Sequence, residues 1–163
     1  MSAPDSTAAR SARRVWFLLG GGCLVLLCLA MLIPLAAWVG PNLVARQALA
    51  ANYAKWQANG SDSYTMTVEI YAFMPCSGVP VTVTVEDGQV VGAESTCQWD
   101  YGSLTVEHVF EEAGECLDNF PSSDCQISYD PALGYPTHAS LDPILQALDD
   151  EVTYEIIDLQ LTP

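Results

Sequence analysis

The sequence predicts an α+β fold, an antiparallel sheet with two helices, in the order helix-strand-strand-strand given twice and preceded by one transmembrane helix. Three observations predict it. Val15 to Val39 is a 25-residue apolar run without a charge. Several short segments after it alternate apolar and polar residues, the period of a half-buried strand, and two longer ones repeat apolar residues every three or four positions, as an amphipathic helix does. A chain of 163 residues has room for one ordinary domain and one extra segment.

Residues 1–14 form a basic tail containing Arg10, Arg13 and Arg14, which reads as cytoplasmic. Residues 15–39 are long enough to cross a hydrocarbon core of about 30 Å, so a single-pass anchor in the cell membrane is expected there. Trp16 and Trp38 mark its two interfaces. Three arginines precede the run and only Arg46 and Lys55 follow it, so the positive-inside bias keeps the N-terminus cytoplasmic and residues 42–163 extracytoplasmic. A cleaved signal peptide is the alternative, but its apolar region covers about 7 to 15 residues, and a shorter run than this one would be needed. Neither Cys23 nor Cys28 follows the residues of a lipoprotein cleavage site.

Gly40-Pro41 is expected to end the span. A helix then runs from Asn42 to Ala58, with Val44, Ala48, Ala51 and Lys55 on one side and Leu49, Tyr53 and Trp56 on another. The turn cluster Asn59-Gly60-Ser61-Asp62 leads into three strands, Tyr64–Phe73, Val79–Glu86 and Gln89–Thr96, the last two joined by Asp87-Gly88, a strong hairpin signal. Ser103–Leu117 reads as the second helix, with Leu104, Val106, Val109, Phe110, Ala113 and Leu117 inside and Glu107, Glu111 and Glu115 facing water. Gln126–Tyr129, Thr137–Leu141 and Val152–Leu161 follow as strands. The helices should cover one face of the sheet and leave an acidic face solvated. The repeated order raises an internal duplication, although the halves share little sequence.

Four cysteines lie outside the apolar run: Cys76, Cys97, Cys116 and Cys125. In an exported domain they suggest two disulfides. The strand reading places Cys76 and Cys97 at one end of a meander, which makes that pairing geometrically easy, and leaves Cys116 with Cys125 to clamp the loop between them.

Charge excludes one class of partner. Asp5 is the only acid of twenty that precedes residue 56, so residues 56–163 hold nineteen acids and no Lys or Arg. Nucleic acid rewards clustered bases by counterion release, and none are present. A basic protein partner fits this surface. Asp142, Asp149, Asp150 and Glu151 are the candidate metal residues, since calcium takes six to eight hard oxygen ligands from flexible loops; the competing reading is a solvated acidic face. Glu107, His108, Glu111, Glu112 and Glu115 stand at helical spacings that would also permit a surface metal site, though an exposed face is the expectation. His108 and His138 are the only imidazoles, and no G-x-S-x-G, H-E-x-x-H or Gly-rich phosphate loop appears. No catalytic residues are expected.

The stretch Tyr129-Asp130-Pro131-Ala132-Leu133-Gly134-Tyr135-Pro136, followed by Leu141-Asp142-Pro143 and Asp149-Asp150-Glu151, resembles the bacterial family catalogued as domain of unknown function 6174. Trp56, Tyr64, the valine strand ending at Val91 and the helix containing Val109-Phe110 agree in order and spacing, over about residues 53 to 161. The resemblance implies exported or envelope-attached proteins, many of them lipoproteins, a pattern from which this chain departs by lacking a lipobox. It brings no activity and no site residues. Read physically, Asp130-Pro131 starts a turn, Gly134 supplies a positive φ and Pro136 pins the entry to the next strand, with the rings of Tyr129 and Tyr135 packing over the turn.

The expected function is therefore a non-enzymatic, membrane-anchored binding module of the bacterial envelope. No cofactor is expected beyond calcium. A calcium-binding module and an envelope hydrolase are the alternatives.

Overall fold

A computed structural model of the chain describes residues 39–162. The basic tail and the apolar run up to residue 38 lie outside the described residues. Among those described, no helix is long and apolar enough to cross a membrane. The account below concerns the unit that begins at Asn42.

The first described helix, α1, covers residues 39–59. It includes residues before the expected start at Asn42: residues 39 to 42 are all helical, because proline removes one donor but keeps a φ that suits a helix, while the end of the span expected at Gly40-Pro41 falls against residues outside those described. Of the two stripes read on this helix, the one carrying Leu49, Tyr53 and Trp56 packs on the core, whereas Val44 and Ala51 are exposed. Gly60 closes the helix by donating to the Trp56 carbonyl (2.7 Å).

The strands are β1 Tyr64–Ala72, β2 Val81–Glu86, β3 Gln89–Ser95, β4 Asp124–Tyr129, β5 Pro136–Asp142 and β6 Val152–Leu161. They form one antiparallel sheet in the order β3-β2-β1-β6-β5-β4. Alternation sets the faces as expected. Tyr64, Met66 and Val68 of β1 and Val81, Val83 and Val85 of β2 are buried. The intervening Thr67 and Thr82 meet on the opposite face, where their hydroxyls lie 3.0 Å apart. Asp87 (φ 50°) and Gly88 (φ 73°) make the tight turn between β2 and β3.

The second helix, α2, is Val106–Asp118. It begins three residues later than the pattern suggested, because Thr105 stays extended and its hydroxyl caps the helix by accepting from the His108 amide (3.1 Å). All six residues read as its inner side are buried. Glu107 departs from expectation: it is half-buried and accepts hydrogen bonds from Trp56 Nε1 (2.7 Å) and the Tyr64 hydroxyl (3.3 Å). The Tyr64 hydroxyl in turn accepts from the Val106 amide (2.8 Å). Burial, first, and the neighbouring Glu107 carboxylate hold the Tyr64 phenol in its protonated form. Tyr64 thus ties both helices to one face of the sheet.

That shared face bears on the duplication. β1 and β4 are the first strands of their triplets and sit on the same side of each, yet adjacent strands alternate direction, so β1 and β4 run oppositely. A rotation that reversed the strands while keeping their order would carry the helix to the other face. Both helices pack on one face, so no rotation superposes the halves.

Candidate functional site

The site grows from two residues one helical turn apart on α2. His108 and Glu112 stand at i and i+4, where side chains share a face. His108 Nε2 lies 3.2 Å from Glu112 Oε1. Glu112 Oε2 accepts a second bond, 2.5 Å long, from the hydroxyl of Tyr154 on β6. The hydrogen bond from His108, ahead of the opposing effect of burial, holds the Glu112 carboxyl below the ordinary carboxylate range. The same bond raises His108 above the usual histidine value. Burial, first, and Glu112 together keep Tyr154 protonated.

These groups line a cavity of about 250 Å³. It is lined also by Ile70 and Ala72 at the end of β1, Val152 and Tyr154 at the start of β6, and the segment Trp99-Asp100-Tyr101 with Met74. Trp99 is half exposed, so this lining residue is open to solvent. The Tyr101 hydroxyl is closed off from solvent and has no hydrogen-bond partner. Asp100 adds a second carboxylate, which accepts from the Gly102 amide (3.0 Å). Two carboxylates beside indole and phenol rings form a surface that attracts a cation. Beyond Glu112 a smaller cavity of about 160 Å³ is lined by Glu115, Cys116, Asn119 and Asp150.

The helical acid set does not form the surface metal site considered for it. Glu107 turns to Trp56 and Tyr64, Glu111 and Glu115 are exposed, and only His108 and Glu112 meet. Asp142 ends β5 and Asp150 lies near it, since burial, then the charges of Asp150 and Glu151, raise the Asp142 carboxyl above its usual value. Asp149, at φ 76°, and Glu151 are exposed. Among the described residues no three His, Cys, Asp or Glu side chains are gathered to hold a metal ion. The cysteines pair as the strand reading suggested, Cys76 with Cys97 and Cys116 with Cys125, at Cα separations of 5.8 and 6.1 Å.

The YDPxxGYP segment is the β4–β5 turn. Asp130 Oδ1 accepts from the amides of Ala132 (2.9 Å) and Leu133 (2.6 Å), and Gly134 takes φ 87°. A Cβ on Gly134 would meet the Asn52 carbonyl at 2.6 Å, so the turn docks directly on α1. Lys55 Nζ completes that contact by donating to the Pro131 carbonyl (3.2 Å). The tyrosine rings pack on the helices rather than over the turn: Tyr135 meets Trp56 edge-on at 6.1 Å and Tyr129 stacks on Phe110 at 6.2 Å. With no donor or acceptor beside it, the buried Tyr129 phenol is pushed up to about 12.

The His108–Glu112 spacing is visible in the sequence, but Tyr154 lies 42 residues from Glu112 and joins it only through the strand order. Trp99, Asp100 and Tyr101 carry no periodic signal. The model of the Family of unknown function (DUF6174) matches residues 48–161, so the chain belongs to that family. No curated protein and no solved structure matches the chain.

Proposed function

We propose that this family member is a binding module, held at a membrane by residues 15–39 with residues 42–163 on the extracytoplasmic side, whose Glu112 cavity receives an arginine side chain of a basic protein partner. The observation that carries the reading is the ionised Glu112 carboxylate set in a cavity walled by Trp99, Tyr101 and Tyr154. The chain's own cation at the cavity is His108, 3.2 Å from Glu112 Oε1, and no Lys or Arg joins it: among the described residues Arg46 pairs with Asp118 (2.7 Å) and Lys55 donates to Pro131. A guanidinium matches the cavity better than an ammonium, because it offers several in-plane donors to carboxylates and a flat face to an indole ring. The nineteen acids after residue 55 would steer a basic partner toward the domain.

One desolvated cation–π contact of about 2 kcal/mol and one charge-assisted hydrogen bond of about 2 kcal/mol place a single side chain near a millimolar Kd. The test is an NMR titration of the full chain with the peptide Gly-Gly-Arg-Gly-Gly and its citrulline counterpart. Saturable shifts at Trp99 and Glu112 with the arginine peptide alone, lost in Glu112→Gln, are expected. Equal responses to arginine and citrulline would refute the reading.

A further inference from the structure

An arginine entering the Glu112 cavity meets a carboxylate whose two oxygens are both engaged. Oε2 accepts from the Tyr154 hydroxyl, and Oε1 lies 3.2 Å from His108 Nε2. The Tyr154 phenol is held in its protonated form and stays a donor. His108 differs, because an imidazole changes charge near neutral pH. A carboxylate oxygen accepts more than one hydrogen bond, so imidazole and guanidinium compete by charge rather than by number. An imidazolium at 3.2 Å neutralises Glu112 and repels a second cation drawn to the same oxygen, whereas a neutral imidazole does neither. The acids facing His108 are Glu111, Glu112 and Glu115 of α2, with Asp100 across the cavity, and the other titratable groups of the lining are the phenols of Tyr101 and Tyr154. The lining from β1 is apolar. Among the described residues His108 is therefore the one group of the cavity that can carry a positive charge.

We propose, resting on the arginine reading of this cavity, that His108 gates it: as an imidazolium it holds Glu112 and keeps a guanidinium out, and on releasing its proton to solvent it yields the carboxylate. Arginine binding then expels a proton. The hydrogen bond to Glu112, ahead of the opposing effect of burial, raises His108 above 6.5, and the charges of Glu111 and Glu115 add to the rise, so in the free chain the gate is closed below that raised value. With arginine bound, the bond to Glu112 is lost and a second positive charge stands beside the ring, so His108 titrates lower. Affinity for arginine therefore rises with pH between the bound and the free titration points of His108 and is level outside them. Glu112 titrates below 4.5 and stays ionised across that window. The coupling is reciprocal: the factor by which proton loss strengthens arginine binding is the factor by which arginine weakens the hold of His108 on its proton.

The test is an NMR titration of the full chain with Gly-Gly-Arg-Gly-Gly, repeated between about pH 5.5 and 8.5 at constant ionic strength, for the parent and for His108→Gln. In the parent a Kd about tenfold weaker at the acid end is expected, since each pH unit between the two titration points is about tenfold in Kd. His108→Gln should keep one Kd across the range and bind more tightly than the parent at the acid end. Should His108→Gln fail to fold, the ring protons of His108 in the parent decide: saturating peptide should move their titration to lower pH, with His138, which does not line the cavity, as the internal control. A parent Kd independent of pH, a pH dependence kept by His108→Gln, or a His108 titration unmoved by bound peptide overturns the gate and leaves the arginine reading standing. Absence of saturable binding at every pH, in parent and variant alike, overturns both.

Discussion

Replacing Tyr64 with phenylalanine removes one oxygen and keeps the ring that packs edge-on against Trp56 at 5.5 Å. The hydroxyl is the acceptor for the Val106 amide, one of the unpaired donors at the start of α2, and a donor to Glu107. Tyr64 and Val106 are both fully buried, so water does not replace the lost acceptor. An amide stranded in that way costs about 1 to 3 kcal/mol. The bond to Glu107, at 3.3 Å, adds about 0.5 kcal/mol at most. Tyr64→Phe should therefore destabilise the domain by about 2 kcal/mol, a fall of roughly 8 °C in Tm for its size. Urea unfolding followed by tryptophan fluorescence measures this, with an unchanged m-value as the sign that only native stability has moved. A loss below about 0.5 kcal/mol would show that Tyr64 does not anchor the helix that carries His108 and Glu112.

Three further outcomes follow from the same contacts. His108 titrates above its unfolded value of 6.5, so its contribution is fully present below pH 6.5 and fades as pH rises through the folded value; Glu112 titrates below 4.5, so its contribution is present above that pH and lost on further acidification. The stability gap between the parent and Glu112→Gln should therefore be widest between about pH 5 and 6, and a gap independent of pH from 4 to 9 would contradict the pair. Replacing Cys116 and Cys125 together by serine opens a loop with a sequence separation of 9 and should cost about 2.5 kcal/mol in chemical unfolding, with no loss expected if the bridge is absent in solution. Gly134→Ala forces a left-handed residue and a Cβ against the Asn52 carbonyl, so it should lower Tm by several degrees; an unchanged Tm would mean that the β4–β5 turn does not seat on α1.

What could be read from the sequence was what local pattern controls. Alternating valines placed β2 and its buried face, Asp87-Gly88 placed the turn, and β6 was found at its full length because Val152, Tyr154 and Ile156 alternate with polar residues and Leu159 and Leu161 resume the pattern after an irregularity at Ile157. The inner stripe of α2 was equally plain. The ends were less so: Thr105 could be taken for helix or cap until its hydroxyl was seen bonding the His108 amide. Glu107 was misread as solvated because helical spacing says which face a residue occupies and not that an indole and a phenol lie across from it. The cavity stayed hidden for the same reason. Its members come from β1, β6, α2 and the segment after β3, and only the placement of β6 beside β1 brings Tyr154 to Glu112. The acidic loop was visible as composition, but the sequence could not separate Asp150, with both oxygens shut from solvent, from its exposed neighbours.

The central claim is that the Glu112 cavity holds an arginine side chain, and intermolecular nuclear Overhauser effects between the arginine peptide and the full chain test it most directly. The account predicts contacts from the arginine side-chain protons to the rings of Trp99 and Tyr154, which line the cavity with the Glu112 carboxylate. Contacts confined to the solvent-facing side of α2, around Glu111 and Glu115, would contradict it and reduce the attraction to diffuse surface charge.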